Sequence, residues 1–231
     1  MKITASSLIR WAGLAAMAAG IIFVVEQPLH PPDVPSSVTT ARWAIVHSFS
    51  TAMCFLALLG ITGLYARQVK EAGWLGLAGY IVFSLFWALQ APYVFAEAFI
   101  LPQLTTAAPE FVQGWLAMAG GPAGGMNLGA LATIYQVGVT LLYILGGLLF
   151  GIATLRAGIL SRWAAGLLTV APLVAPVAGL LLPGELQRIA AVPMGIALAW
   201  LGYALWSERR EQAAGPVVAA EASGSVEPQP S

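Results

Sequence analysis

Few side chains in this sequence could do chemistry, and those few lie within or beside long apolar runs. Ionisable groups in such runs are costly to bury and often mark functional sites. A pocket formed by them could bind a proton or a small or lipid-like molecule. The candidate ligand-binding residues are two carboxyl groups, one imidazole, one phenol and one amide, namely Glu26, His47, Glu97, Tyr135 and Gln136.

Imidazole and carboxylate are also zinc ligands, which gives a second hypothesis. His47 and His30, with Glu26 or Glu97, could hold a metal ion and make the chain a metal-dependent membrane enzyme. The sequence has no HExxH or comparable metal-ligand spacing. His30 and His47 are therefore weak metal candidates, and we predict no cofactor, no metal and no catalytic residue. In a third interpretation the carboxylates are hydrated groups at the membrane boundary and His47 is a packing residue.

Several other activities lack their sequence signatures. The chain has no Walker A, CxxC or GxSxG sequence, and no predicted span contains a lysine that could form a retinal Schiff base. The formal net charge is zero, so nothing indicates a nucleic-acid partner. The single cysteine, Cys54, is predicted to be a packing residue. These absences favour a protein that is not an enzyme.

Membrane-spanning helices are the elements that must position the candidate residues. Of the 231 residues, 59% are hydrophobic and 9% are charged, whereas an ordinary soluble domain is about 25% charged. A spanning helix needs roughly 20 apolar residues and satisfies its own backbone hydrogen bonds. The sequence therefore predicts an all-α bundle with six transmembrane helices, at about residues 8–26, 43–66, 73–100, 127–155, 163–182 and 189–207.

The two ends of the chain are interpreted separately. The first apolar run has no small-x-small cleavage site after it, so we expect a retained helix and not a signal peptide. Residues 1–207 form the predicted membrane domain. Residues 208–231, rich in Ala, Gly, Pro, Ser and Glu, are predicted to be a disordered cytoplasmic tail.

The positive charges predict the orientation. The side that carries both termini holds eight of the ten Lys and Arg residues, which are Lys2, Arg10, Arg67, Lys70, Arg156, Arg162, Arg209 and Arg210. Only Arg42 and Arg188 fall on the other side. By the positive-inside rule both termini are cytoplasmic. The lipid bilayer is then an expected partner, beside the small-molecule or lipid ligand of the first hypothesis, and the sequence does not indicate an oligomeric state.

The candidate residues share one predicted depth. At about 1.5 Å of rise per residue, Glu26, His47 and Glu97 all lie near the outer membrane boundary. The outer loop at 102–126 contains a predicted short interfacial helix over 109–119, which either lies on the membrane or covers the bundle. Tryptophans near the helix ends are predicted to be interfacial anchors, namely Trp11, Trp43, Trp74, Trp163 and Trp206.

One junction carries a family resemblance. The sequence of residues 155–166, LRAGILSRWAAG, resembles the junction between the fourth and fifth helices in a group of uncharacterised bacterial six-span membrane proteins, a domain-of-unknown-function family. In that group Pro commonly stands where Ser161 stands here. The resemblance implies six helices in the bacterial cytoplasmic (inner) membrane. It brings no catalytic residue, so the site residues come from the chemistry of the side chains alone.

Overall fold

The computed structural model describes residues 4–181 and 188–223, with side chains described as far as residue 208 apart from those of 179 and 180. The chain is 86% helix, and the described residues contain no strand, so the all-α prediction is confirmed. Lys2 and residues 224–231 of the predicted tail lie outside the described residues.

Nine α-helices follow one another along the described chain. They are α1 (Ala5–Leu29), α2 (Pro35–Val38), α3 (Ala41–Phe99), α4 (Leu101–Leu104), α5 (Pro109–Met118), α6 (Ala130–Thr133), α7 (Thr140–Ala157), α8 (Arg162–Leu181) and α9 (Val192–Ser223). A π-helical turn (Ile134–Val139) joins α6 to α7, and a 3-10 turn (Arg188–Ala191) precedes α9. Helix α9 runs beyond residue 207, and the disorder predicted for residues 208–231 stays a prediction.

Several helices are compatible with insertion into a membrane. Four described helical stretches are long and apolar enough to cross one, and Arg162–Ala178 is a shorter apolar helix. Large apolar side chains face outward along these helices, as Phe55 and Leu59 do with 57% and 62% of their surface exposed. Lipid can cover such a surface, whereas water would hydrate it unfavourably. The four stretches are Ala5–Leu29, Ala41–Phe99, Ala130–Ala157 and Arg188–Glu208.

Helix α3 is folded back on itself. Its backbone leaves the helical region at Gln68 and at Gly73, whose φ of 57° is a conformation that glycine adopts without strain. The rings of Tyr65 and Tyr80 stack with centroids 4.7 Å apart, on opposite sides of this turn. At the far end Trp43 Nε1 donates a hydrogen bond to the Glu97 carbonyl oxygen at 2.7 Å. The two arms, 41–67 and 74–99, therefore form an antiparallel hairpin.

Six helical segments of the described chain form a ring in chain order. Helix α1 packs on the first arm of α3, the second arm packs on α7, and α7 on α8. Helix α9 then packs on both α8 and α1, which closes the ring. The backbones approach closely at glycines. Small residues are common at the contacts between membrane helices, because they let the backbones come close together. A Cβ at Gly79 would lie 2.5 Å from Phe150 N, and one at Gly60 would lie 2.6 Å from Ala16 Cα.

The ring has two unlike ends. The turn end holds the α3 turn, where Gln68 Nε2 donates to Thr154 Oγ1 at 2.8 Å. Arg67 pairs there with Glu208, its Nε lying 3.0 and 3.1 Å from the two carboxylate oxygens. The cavity end is the opposite end, which holds Glu26, His47 and Glu97.

Helix α5 covers the cavity end. Val112 and Leu116 are almost fully buried, and the ring of Trp115 stacks on Tyr93 with centroids 4.7 Å apart. The helix predicted over 109–119 thus occupies Pro109–Met118. Of its two expected positions, the structure shows the one against the bundle.

A candidate binding cavity at one end of the bundle

A cavity of about 460 Å³ lies inside the cavity end. Its wall combines residues of α1, both arms of α3, the π-helical turn, α7 and α8, together with Arg188. The volume falls within the range of about 300–1,000 Å³ that is common for small-molecule sites. The helix ring therefore leaves an internal space where most of the candidate residues lie.

Four of the five candidate residues line this cavity. Glu26 comes from α1, His47 and Glu97 from the two arms of α3, and Tyr135 from the π-helical turn. Gln136 does not line it. It is exposed, and its Nε2 donates to the Met118 carbonyl oxygen at 3.3 Å. Side chains at adjacent helical positions point about 100° apart, so Tyr135 and Gln136 do not face the same cavity.

His47 and Glu97 form a buried contact between the two arms of α3. The His47 Nδ1 lies 2.9 Å from the Trp43 carbonyl oxygen. Because a carbonyl only accepts, Nδ1 carries a hydrogen there. The other ring nitrogen, Nε2, lies 3.4 Å from Glu97 Oε2. In the neutral ring both facing atoms are acceptors, so the contact is attractive when one of them holds a proton.

Trp43 fixes this contact in place. Its ring stacks on His47 with centroids 4.0 Å apart, and its Nε1 binds the Glu97 backbone. Trp43 has none of its surface exposed, so its prediction as a membrane anchor is wrong. By contrast Trp74 and Trp163 are 85% and 81% exposed near helix ends, as an anchor would be. Sequence position alone gave all of them the same role.

Glu26 faces the cavity with neutral partners. Ser50 Oγ lies 2.6 Å from Glu26 Oε2, and Gln27 Nε2 lies 3.4 Å from Oε1. At 2.6 Å the Ser50 hydroxyl donates a hydrogen bond to the carboxyl oxygen. The first arm of α3 supplies Ser50 one turn after His47, which places both side chains on one helix face.

Arg188 and Asp33 form an ion pair at the rim of the cavity. Asp33 is nearly buried, with 8% of its side chain exposed, whereas Arg188 is 36% exposed. Burial raises the pKa of Asp33 above its ordinary value of 3.8, and the charge of Arg188 acts against that rise. The pair joins the loop after α1 to the 3-10 turn before α9.

His30 lies beside this pair, after the end of α1. Its Nδ1 lies 2.7 Å from the Pro31 carbonyl oxygen, and its ring meets that of His47 edge-on at 4.9 Å. Burial, and then the positive charge of Arg188, lowers the pKa of His30 from 6.5 to about 3. His30 is therefore a neutral ring at physiological pH.

Aromatic side chains form the inner wall. Trp87 meets Phe23 edge-on at 6.1 Å and Phe86 at 4.8 Å, and Phe86 meets Tyr143 at 5.1 Å. Trp87 has none of its surface exposed, yet its Nε1 has no hydrogen-bond partner among the described residues. The same holds for the Tyr143 hydroxyl. Buried polar atoms are almost always paired, so these two mark a place where an occupant could bind.

The geometry gives the metal hypothesis no added support. Within the described part of the chain, no group of three or more His, Cys, Asp or Glu side chains is arranged to hold a metal ion. His30 and His47 lie close together, but Nδ1 of each faces a backbone carbonyl.

Sequence reasoning missed three residues that shape the site. Arg188 and Trp87 line the cavity, and Trp43 stacks on His47. Arg188 could have been noticed as one of two basic residues on the predicted outer side. Trp87 gave no signal, because a tryptophan in an apolar run is ordinary.

Comparison with known proteins adds nothing to these inferences, which depend on the structure alone. The resemblance at residues 155–166 stays a prediction. No protein-family model, no curated protein and no solved structure matches the chain.

Proposed function

We propose that this chain is an integral membrane protein that binds a small or lipid-like molecule in the cavity at the cavity end, as a transporter or a sensor. One observation carries the proposal. Ionisable side chains from α1 and both arms of α3 converge on a space of about 460 Å³ where the buried Trp87 Nε1 has no partner. Convergent polar groups in a mainly apolar pocket are typical of ligand sites.

The membrane topology is part of the same proposal. The hairpin in α3 would supply two passes, and α1, α7, α8 and α9 one each, which makes six. The positive-inside rule then puts both termini in the cytoplasm and the cavity end outside, in a bacterial cytoplasmic membrane. A topology reporter fused after Ser231 should give a cytoplasmic signal, and an outer signal would contradict this arrangement.

Ligand-dependent stability of the purified full-length protein tests the binding function. A ligand that binds only the folded state stabilises it by mass action. We expect at least one member of a library of neutral, anionic, cationic and lipid-like compounds to raise the melting temperature. The rise should be lost in Glu97→Gln and in His47→Ala. If no compound raises it, the binding function is contradicted.

The metal-dependent enzyme, with His47 and Glu26 or Glu97 as ligands, is the alternative. It predicts that zinc raises the melting temperature and that a chelator lowers it. A zinc effect that His47→Ala removes would replace the proposal above with this one. An unchanged melting temperature in both conditions would contradict the alternative.

A further inference from the structure

The charges that line the cavity are balanced except at one residue. Asp33 is paired with Arg188, and Glu97 shares a proton-dependent contact with His47. Glu26 contacts only the neutral side chains of Ser50 and Gln27, and it belongs to no ion pair among the described residues. A carboxylate in an apolar surrounding is unfavourable without a counter-charge. Glu26 is thus the carboxyl of the wall that has no ion-pair partner in the described chain, and a cationic ligand would supply one.

Aromatic rings lie next to that charge. Phe23 precedes Glu26 by three residues on α1, so both side chains lie on one helix face. Phe23 in turn meets Trp87, and both line the cavity with Glu26. A cation over an aromatic face is stabilised by the ring quadrupole, most strongly over Trp. Carboxylate and aromatic rings together form a surrounding suited to an organic ammonium group.

A hydrogen-bond acceptor would complete the match. Trp87 Nε1 is a donor only, and it is buried without a partner among the described residues. An oxygen on the ligand could accept this hydrogen bond. The Tyr143 hydroxyl, equally without a partner in the described chain, lines the same cavity and could bind the same oxygen.

We propose that the cavity binds a small quaternary or tertiary ammonium compound that carries an oxygen acceptor, with the ammonium group between Glu26 and the aromatic wall of Phe23, Phe86 and Trp87. The inference rests on the binding function proposed above and names its ligand class. Choline has this chemistry as a free solute, and a phosphatidylcholine headgroup has it within a lipid. Both are sources of the same ammonium group.

Direct binding measurements with three probes test the charge requirement. Choline and tetramethylammonium are cations, and 3,3-dimethylbutan-1-ol is a neutral compound of nearly the same shape as choline. We expect the full-length protein in detergent to bind choline at least about tenfold more tightly than the neutral compound, a difference of about 1.4 kcal/mol. Equal affinity for both, or no binding of either cation, would overturn the inference.

Two variants locate the site. Glu26→Gln should weaken choline binding about tenfold or more, whereas the matched control Glu110→Gln, an exposed carboxyl on α5 outside the cavity, should not. Trp87→Phe should weaken choline more than tetramethylammonium, because only choline has an oxygen for Nε1. If Glu26→Gln fails to fold, Trp87→Phe decides by this ratio. Unchanged choline affinity in both variants overturns the inference.

A lipid arm identifies the source of the ammonium group. Choline binding is measured in nanodiscs of phosphatidylglycerol, with and without phosphatidylcholine. Competition by phosphatidylcholine supports the headgroup, and unchanged binding supports the free solute. If instead a neutral or anionic library compound stabilises the protein and no cation binds, the ligand class is wrong while the binding function stands.

Discussion

The two ends of the helix ring solve the burial of polar groups in different ways. At the turn end most polar side chains bind one another, as Gln68 Nε2 does with Thr154 and Arg67 with Glu208, and Gln68 Oε1 is the exception. At the cavity end a carboxylate, an indole and a phenol surround a space, and part of their hydrogen-bonding capacity has no partner in the described chain. The comparison indicates that the turn end uses its polar groups mostly for contacts within the protein, whereas the cavity end leaves more of them unpaired.

Glycines set the close contacts between the helices. Glycines bring the backbones together towards the turn end, with Gly79 against Phe150 and Gly151 against Thr169. A close contact also joins α1 to α9, where a Cβ at Gly20 would meet Gly195 O. Aromatic rings, among them Phe86 and Trp87, line the cavity between the helices.

Gly79→Ala should have the largest effect, since it disrupts a close backbone contact between α3 and α7. Its Cβ would lie 2.5 Å from Phe150 N, a backbone atom that cannot move without the helix. We expect a loss of about 2–3 kcal/mol in the free energy of unfolding. The control is Gly166→Ala, whose Cβ would lie 3.9 Å from the nearest atom, Leu155 Cδ1. Equal melting temperatures for the two variants would contradict the tight contact.

Acid should lower the stability of the cavity end, which contains both histidines. Because the folded-state pKa of His30 is lowered from 6.5 to about 3, its neutral form is favoured by folding. The stability it contributes is full above pH 6.5 and falls as the pH drops towards 3. The loss is about 1.4 kcal/mol per pH unit, or about 2 kcal/mol at pH 5.

His30→Phe removes this dependence. Between pH 7.5 and pH 5 the melting temperature should fall less steeply for His30→Phe than for wild type. Leu29→Phe, at an exposed neighbouring position, should parallel wild type. A His30→Phe curve as steep as that of wild type would show that the acid effect arises elsewhere.

Thr154→Val tests how well the turn end is paired. It leaves the buried Gln68 Nε2 without its acceptor, which should cost about 1–2 kcal/mol. Thr169→Val is the control, because its hydroxyl donates to the carbonyl four residues earlier, as that of Thr154 also does. Chemical denaturation of both variants measures the difference. Equal losses would mean that the Gln68 contact adds nothing.

Substitutions in the two ion pairs should have the smallest effects on stability, and these effects should follow a defined order. Arg188→Gln leaves the nearly buried Asp33 without its partner and should cost about 1 kcal/mol, while Arg67→Gln does the same to Glu208, which is 28% exposed, and should cost a few tenths. Melting temperatures at low and high salt measure both. High salt should reduce the difference in melting temperature between wild type and Arg67→Gln more than the difference between wild type and Arg188→Gln. The reverse order would remove the contrast between the two ends.

The local hydrophobic pattern and the depth of the polar side chains along each helix were sufficient to predict much of the fold and of the candidate site. Charge-free runs predicted the helical segments, and the rise per residue placed Glu26, His47 and Glu97 at one level, where the structure has them around one cavity. Gln136 shows the limit, because the π-helical turn that orients Tyr135 leaves no signature in sequence. The role of Arg188 depends on a contact with Asp33, 155 positions earlier, and no local pattern encodes such a distance.

Closure of the ring by α1 and α9 has a consequence for biogenesis. Gly20 meets the backbone of Gly195, so α1 receives this neighbour only after the residues of α9 have been synthesised. Until then the small-residue face of α1 lacks its partner. The cavity wall likewise joins Glu26 of α1 to Arg188, which precedes α9. The wall is therefore complete only when the two ends of the ring have met.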